Sequence, residues 1–283
     1  MRTLPCPSRE DVRNQLLEAI APYHHGGVVR GYAATPEEVD RVLEIYDTYD
    51  VARGAPAEAL KGIALSQPLR EAIYSGYDFT QTGRKLADVR ANLMSGIELC
   101  PVCGISPPRE LDHHLPRSTY HPLAVYVRNL VPLCHDCNQS KSKSAATMAE
   151  EQFFHPYLEV IPDVDFLRAN VAIENGGLLI DFDIDPDAAV DETTRARLTH
   201  VFDRLKLNDR YAREINIFLT SQATAVRMAF ASGGAETVRT YLRVQADLER
   251  RRFHRNHWQP TLLQALAANA AFCEGGFAQV LPI

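Results

Sequence analysis

Two cysteine pairs, Cys100-Pro-Val-Cys103 and Cys134-His-Asp-Cys137, constrain this chain more than any other feature; thirty residues lie between them. Each CxxC places two thiolates on one tight turn, and two such turns close a tetrahedral four-sulfur site of the kind that holds structural zinc. Gly104 suits the backbone reversal that such a knuckle requires. A closed site leaves no open coordination position, so this Zn²⁺ is expected to hold the fold and not to catalyse. A redox dithiol and two unrelated cysteine turns are the competing readings. Cys6 and Cys273 stand alone and are read as thiols without a role. The opening "MRTLPCPSRE" lacks the apolar core of a signal peptide, and no stretch approaches the roughly 20 apolar residues of a membrane span. A cytoplasmic location, with no membrane association, is therefore expected, and a reducing compartment favours metal over disulfides.

A length of 283 residues allows one large domain or two modest ones. The net charge of −6 argues against a nucleic-acid-binding surface spread over the whole chain. Residues 84–143, however, carry eight Lys/Arg and five Asp/Glu, a net of +3 against −9 elsewhere, and a local basic face is what phosphate binding needs. Apolar periodicity predicts helices over 8–22, 35–52, 57–74 and 83–95, then near 144, and over 191–206, 209–231, 235–254 and 260–273. In "TPEEVDRVL" Thr35 caps, Pro36 takes the first helical position and acids follow. A hairpin is predicted over 170–185, turning at Asn175-Gly176-Gly177. The expected class is α+β: a mainly helical chain with a small central module at 97–150, flanked by a helical region at 1–96 and a mostly helical region at 151–283.

Between the cysteine pairs lie Asp112-His113 with Pro116 three residues on, and Asn129-Leu130 leading into Cys134; Asn138 and Lys141 follow Cys137. Taken together, CxxC, DH-x-x-P, N-L-x-x-L-C-x-x-C-N and the lysine resemble the zinc-stapled HNH endonucleases of ββα-metal fold. The resemblance covers about residues 97–145. It implies a phosphodiester hydrolase acting on nucleic acid, DNA for preference, with His113 as general base and Asp112 and Asn138 as ligands of a catalytic divalent ion. It implies Asn129 as the amide that braces the loop and orients His113, and Cys100, Cys103, Cys134 and Cys137 as the structural zinc ligands. Lys141, His121 and Arg117 are weaker candidates for nucleic-acid contact. Asn138 departs from the commoner histidine of the family, which makes the ligand set harder and favours Mg²⁺ or Mn²⁺. Relatives of this kind also occur beside ATPases in anti-phage systems such as Septu, and the run "FDRLKLNDR" is loosely similar to those, so an ATPase partner and a defence role are further expectations.

The chemistry stands beside the family name. Phosphodiester hydrolysis needs a group to take a proton from the attacking water, which a neutral imidazole suits. It needs the growing negative charge and the leaving oxygen stabilised, which a hard cation on oxygen ligands suits. Neighbouring strand residues point to opposite faces, so Asp112 and His113 can serve one site only where the strand ends or bulges. A helix starting near Asn138 would close the site. His114 is expected to pack or hydrogen-bond, His135 to be an exposed filler, and His24-His25 to lie in a loop. "RRRFHRNHW" at 250–258 is either a backbone-binding and base-stacking patch or the solvated end of a helix. The main rival reading is a non-catalytic zinc-ribbon binding module, which needs the four cysteines but has no use for Asp112, His113, Asn129 and Asn138.

Overall fold

The computed structural model describes residues 1–141, 146 and 148–281. In chain order the elements are α1 (Val12–Ile20), β1 (Tyr23–His25), β2 (Val28–Arg30), α2 (Pro36–Val51), α3 (Gln67–Gly76), α4 (Ala87–Met94), β3 (Glu110–His113), β4 (Leu130–Leu133), α5 (His135–Ser140), β5 (Leu167–Glu174), β6 (Gly177–Ile184), α6 (Glu192–Arg204), α7 (Leu207–Arg252), α8 (Trp258–Ala268) and α9 (Phe277–Val280). Short 3-10 turns link several of them. The strands pair as antiparallel two-stranded sheets, β1–β2, β3–β4 and β5–β6, so the class is α+β and mainly helical. No helix among the described residues is long and apolar enough to cross a membrane. The helix expected near 144 falls at residues outside the described ones.

Backbone contacts divide the chain into two compact units. One comprises Arg2–Val102 and Ser106–Ile161; the other comprises Met1, Cys103–Ile105 and Pro162–Ile283. In the first, α2 begins as its sequence demands. Thr35 Oγ1 accepts from the Glu38 N–H and Glu38 Oε2 accepts from the Thr35 N–H, a reciprocal capping box with Pro36 behind it. Val39, Val42, Tyr46 and Tyr49 then form one buried stripe. It packs with Leu16 and Ile20 of α1, Leu69 and Ile73 of α3, and Leu123, Val125 and Tyr126 of the segment between β3 and β4. The motif-bearing segment is thus built into the helical core, and Tyr46 stacks on Tyr126 with ring centroids 4.0 Å apart.

Several sequence expectations are corrected in detail. The helix expected over 57–74 is broken, because Gly62 takes a left-handed conformation (φ 62°) and α3 restarts at Gln67 with Pro68 in its first turn. His24 and His25 are not in a loop but in β1, turned onto β2 by Gly26 and Gly27, both at positive φ. The β5–β6 hairpin turns on Asn175 (φ 52°) and Gly176 (φ 76°), with Glu174 opposite Gly177, so Gly177 opens the strand instead of joining the turn.

In the second unit, Gly233 and Gly234 interrupt α7 with non-helical backbone. Its halves fold back on each other, and Tyr241 Oη donates to Gln222 Oε1 at 2.6 Å. Several side chains of the basic run at 250–258 are engaged within the unit. Arg250 pairs with Asp165, Arg255 Nε lies 3.2 Å from Asp163, Phe253 stacks on His257, and Trp258 is buried.

Candidate metal centre and active site

The reactive-group atoms of Cys100, Cys103, Cys134 and Cys137 all lie within 4.8 Å of one another, and all four residues are buried. The second pair straddles the start of α5: Cys134 is its N-cap and Cys137 lies in its first turn. Gly104 sits at φ 65°, the left-handed backbone that the knuckle demands. Four buried sulfurs gathered this closely can hold a metal ion such as zinc.

β3 and β4 pair in continuous register, Glu110 with Leu133, Asp112 with Val131 and His113 with Leu130, so no bulge intervenes. Together with α5 they make a ββα unit. The helix begins at His135, three residues before the start expected from sequence, because Cys134 takes the capping position. Asn138 and Lys141 are three residues apart and share one side of the helical turn. Glu110 and Asp112, two residues apart, share one face of β3. The faces meet in two rungs. Asn138 Nδ2 donates to Glu110 Oε2, and Lys141 Nζ donates to Asp112 Oδ2 at 2.5 Å.

The Lys141 ammonium also donates to the His113 carbonyl at 2.7 Å and the His114 carbonyl at 3.1 Å, so oxygens converge on it where β3 ends. The Asp112 and Lys141 side chains are 17% and 13% exposed, which strips most of the water from the pair. This all-oxygen donor set suits a hard cation. Glu110 went unremarked in the sequence, although period-two logic puts it beside Asp112. Its carboxyl also accepts from His135 Nδ1 at 2.7 Å. Burial works against its charge, but the bonds from Asn138 and His135 outweigh that and hold it below the usual carboxylate range. His135, exposed as expected, is pushed up by the same bond.

His113 lies on the other side of β3 from Asp112 and is 9% exposed. Its Nε2 lies 2.9 Å from the Ala124 carbonyl, and its ring rests 4.5 Å from that of Tyr77. A carbonyl only accepts, so Nε2 carries the proton and Nδ1 keeps a lone pair. Burial pushes its pKa down to about 4, against the opposing pull of the Ala124 bond. The ring is therefore neutral at physiological pH. Asp112 and His113 are last in the strand, and the chain leaves the sheet at His114, whose N–H donates to the Asn129 carbonyl.

Asn129 is fully buried with its amide saturated. Nδ2 donates to the carbonyls of Leu115 and Leu123, each at 3.1 Å. Oδ1 accepts from the Leu115 N–H at 2.8 Å and from Tyr49 Oη at 3.0 Å. It thereby clamps both ends of the loop that supplies Ala124. Arg117 and His121 gather on the tyrosines of α3 and the turn after it, and one of these, Tyr77, is also the ring against His113. The Arg117 guanidinium lies 4.5 Å over Tyr74 and 4.8 Å over Tyr77, and His121 tilts against Tyr74. His114 packs against His155 with centroids 4.2 Å apart. Tyr49 and His155, both in contact with this centre, had no motif to betray them.

A scan against protein-family models finds no match. Over 201 residues the chain is 28% identical to Protein ea31 of Escherichia phage lambda, a match covering 65% of this chain and 66% of that protein. The chain thus matches a little under two thirds of its relative's length. No solved structure matches.

Proposed function

We propose that this chain is a metal-dependent HNH endonuclease that hydrolyses phosphodiester bonds in nucleic acid, DNA for preference, with Zn²⁺ on the four cysteines. The observation that carries the reading is the state of His113: Nε2 is committed to the Ala124 carbonyl, Nδ1 holds the lone pair, and burial keeps the ring neutral. A neutral, oriented imidazole is what proton abstraction from a nucleophilic water requires.

Asp112 and the Asn138 carbonyl oxygen would hold a Mg²⁺ or Mn²⁺ ion. When bound, that ion supplies charge neutralisation at the phosphate and stabilises the leaving oxygen. Glu110, by accepting from Asn138 Nδ2, leaves Oδ1 as the amide atom for that task. Lys141 brings a positive charge to the same place and supports phosphate binding. His113 takes the water proton at Nδ1, and Asn129 keeps the loop that aims it.

One observation favours a non-catalytic zinc module instead: Asp112 is engaged by Lys141, and His113 is buried against Tyr77. The deciding experiment incubates the protein with plasmid, single-stranded DNA and RNA in Mg²⁺ or Mn²⁺, beside His113→Ala. Cleavage by the parent and its loss in a folded, zinc-retaining variant is the expected result. Equal cutting by both removes His113 from the mechanism. A parent that cuts nothing under any condition favours the binding module.

A further inference from the structure

The buried chemistry of this unit extends beyond the motif. His155, Tyr49 and Asn129 are each 0% exposed, and their polar atoms form one directed chain. The direction follows from donor and acceptor counting. His155 Nδ1 accepts from the backbone N–H groups of Tyr157 at 3.1 Å and Leu158 at 3.3 Å, so that nitrogen bears a lone pair. A neutral imidazole then carries its proton on Nε2, which lies 2.8 Å from Tyr49 Oη and donates to it. The Tyr49 hydroxyl has one proton, and it goes to Asn129 Oδ1. Asn129 spends its own two N–H protons on the carbonyls of Leu115 and Leu123. Ala124 follows Leu123, and its carbonyl accepts from His113 Nε2.

We infer that His155 and Tyr49 are positioning residues for His113: through Asn129 they hold the Leu115–Ala124 loop so that the Ala124 carbonyl selects one tautomer and one orientation of the His113 ring. Every donor faces an acceptor, and reversing any member leaves two donors or two acceptors facing each other in a site without solvent. That is costly for buried polar groups and makes the chain a single-valued device. His155 also packs its ring on His114, the neighbour of His113, so the imidazole is held in a cage that the same strand end helps to build. Its importance for cleavage rests on the nuclease reading, but its existence does not.

The test reads the His113 ring directly. In protein labelled with ¹⁵N-histidine, parent His113 gives a single Nε2-protonated tautomer. Tyr49→Phe and His155→Leu each mix the tautomers or broaden the ring signals, and the double variant shows no more change than either single one. Tyr46→Phe, which removes a neighbouring buried hydroxyl outside the chain, leaves His113 as in the parent. Unchanged His113 signals in both single variants overturn the inference. So do strictly additive effects, and so does an equal response to Tyr46→Phe, which would indicate general loosening. If the parent cleaves, Tyr49→Phe lowers kcat by about tenfold with KM unchanged, the scale of outer-shell losses. A parent that never cleaves favours the binding module over the nuclease reading, while the tautomer result still decides this inference.

Discussion

Acidification should unfold this protein partly through one imidazole, and the size of the effect can be worked out. His155 is fully buried, and burial pushes its pKa from 6.5 down to about 3. The folded state therefore refuses a proton that the unfolded chain accepts. Stability from this group is fully present above pH 6.5 and declines as the pH falls towards 3, where the loss levels off. At full extent it is about 5 kcal/mol, and between pH 7.5 and 5 it is about 2 kcal/mol. The assay is equilibrium urea unfolding of the parent and His155→Gln across that interval, with metal content matched. The variant is less stable at every pH, since it disturbs Tyr49 and the two backbone donors, so the slope and not the intercept is compared. The parent should lose about 2 kcal/mol more than the variant between pH 7.5 and 5. Equal slopes would show that His155 is not held neutral and would refute the burial argument.

The remaining predictions concern other parts of the chain. Cys134→Ser should abolish the tetrathiolate absorption of the Co²⁺-substituted protein and lower stability, because metal binding and folding are coupled. Tyr46→Phe should be neutral or stabilising in the same urea assay, since the Tyr46 hydroxyl is buried with no hydrogen-bond partner among the described residues, whereas Tyr49→Phe should cost about 1–3 kcal/mol. Thr35→Ala should cost about 1 kcal/mol by removing half of the capping box of α2. His113→Ala should retain metal and fold while losing cleavage.

Local signals were legible in the sequence where the physics is local. The capping box, the Asn175-Gly176 turn and the paired cysteine knuckles are each written in a few adjacent residues. The meeting of α5 with β3 was expected from the cysteine knuckle that starts the helix, but its partners differ: Asn138 meets Glu110, and Lys141 meets Asp112. What escaped is what crosses the chain. Tyr49 reads as an ordinary core position on an amphipathic helix, and its partner His155 lies 106 residues away. Nothing in periodicity distinguishes a tyrosine that only packs, such as Tyr46, from one that also passes a hydrogen bond. The ion pairs of the basic run at 250–258 were hidden for the same reason: their acidic partners, Asp163 and Asp165, are nearly a hundred residues upstream. The composition change near residue 97 suggested a module apart, yet Leu123 and Tyr126 share the core of α1, α2 and α3.

The reversal inside α7 has its own consequence. Gly234 adopts φ 68° and ψ −155°, a backbone region closed to residues with a side-chain β-carbon, and the returning arm is latched by Tyr241 on Gln222. The reversal is also held near its tip, where Phe230 packs edge-on against Phe277 and Arg239 pairs with Glu274. Adding equal numbers of turns to both limbs on the base side of Phe230 and Arg239 would carry those side chains away from Phe277 and Glu274, while a β-carbon at Gly234 would send the second limb elsewhere.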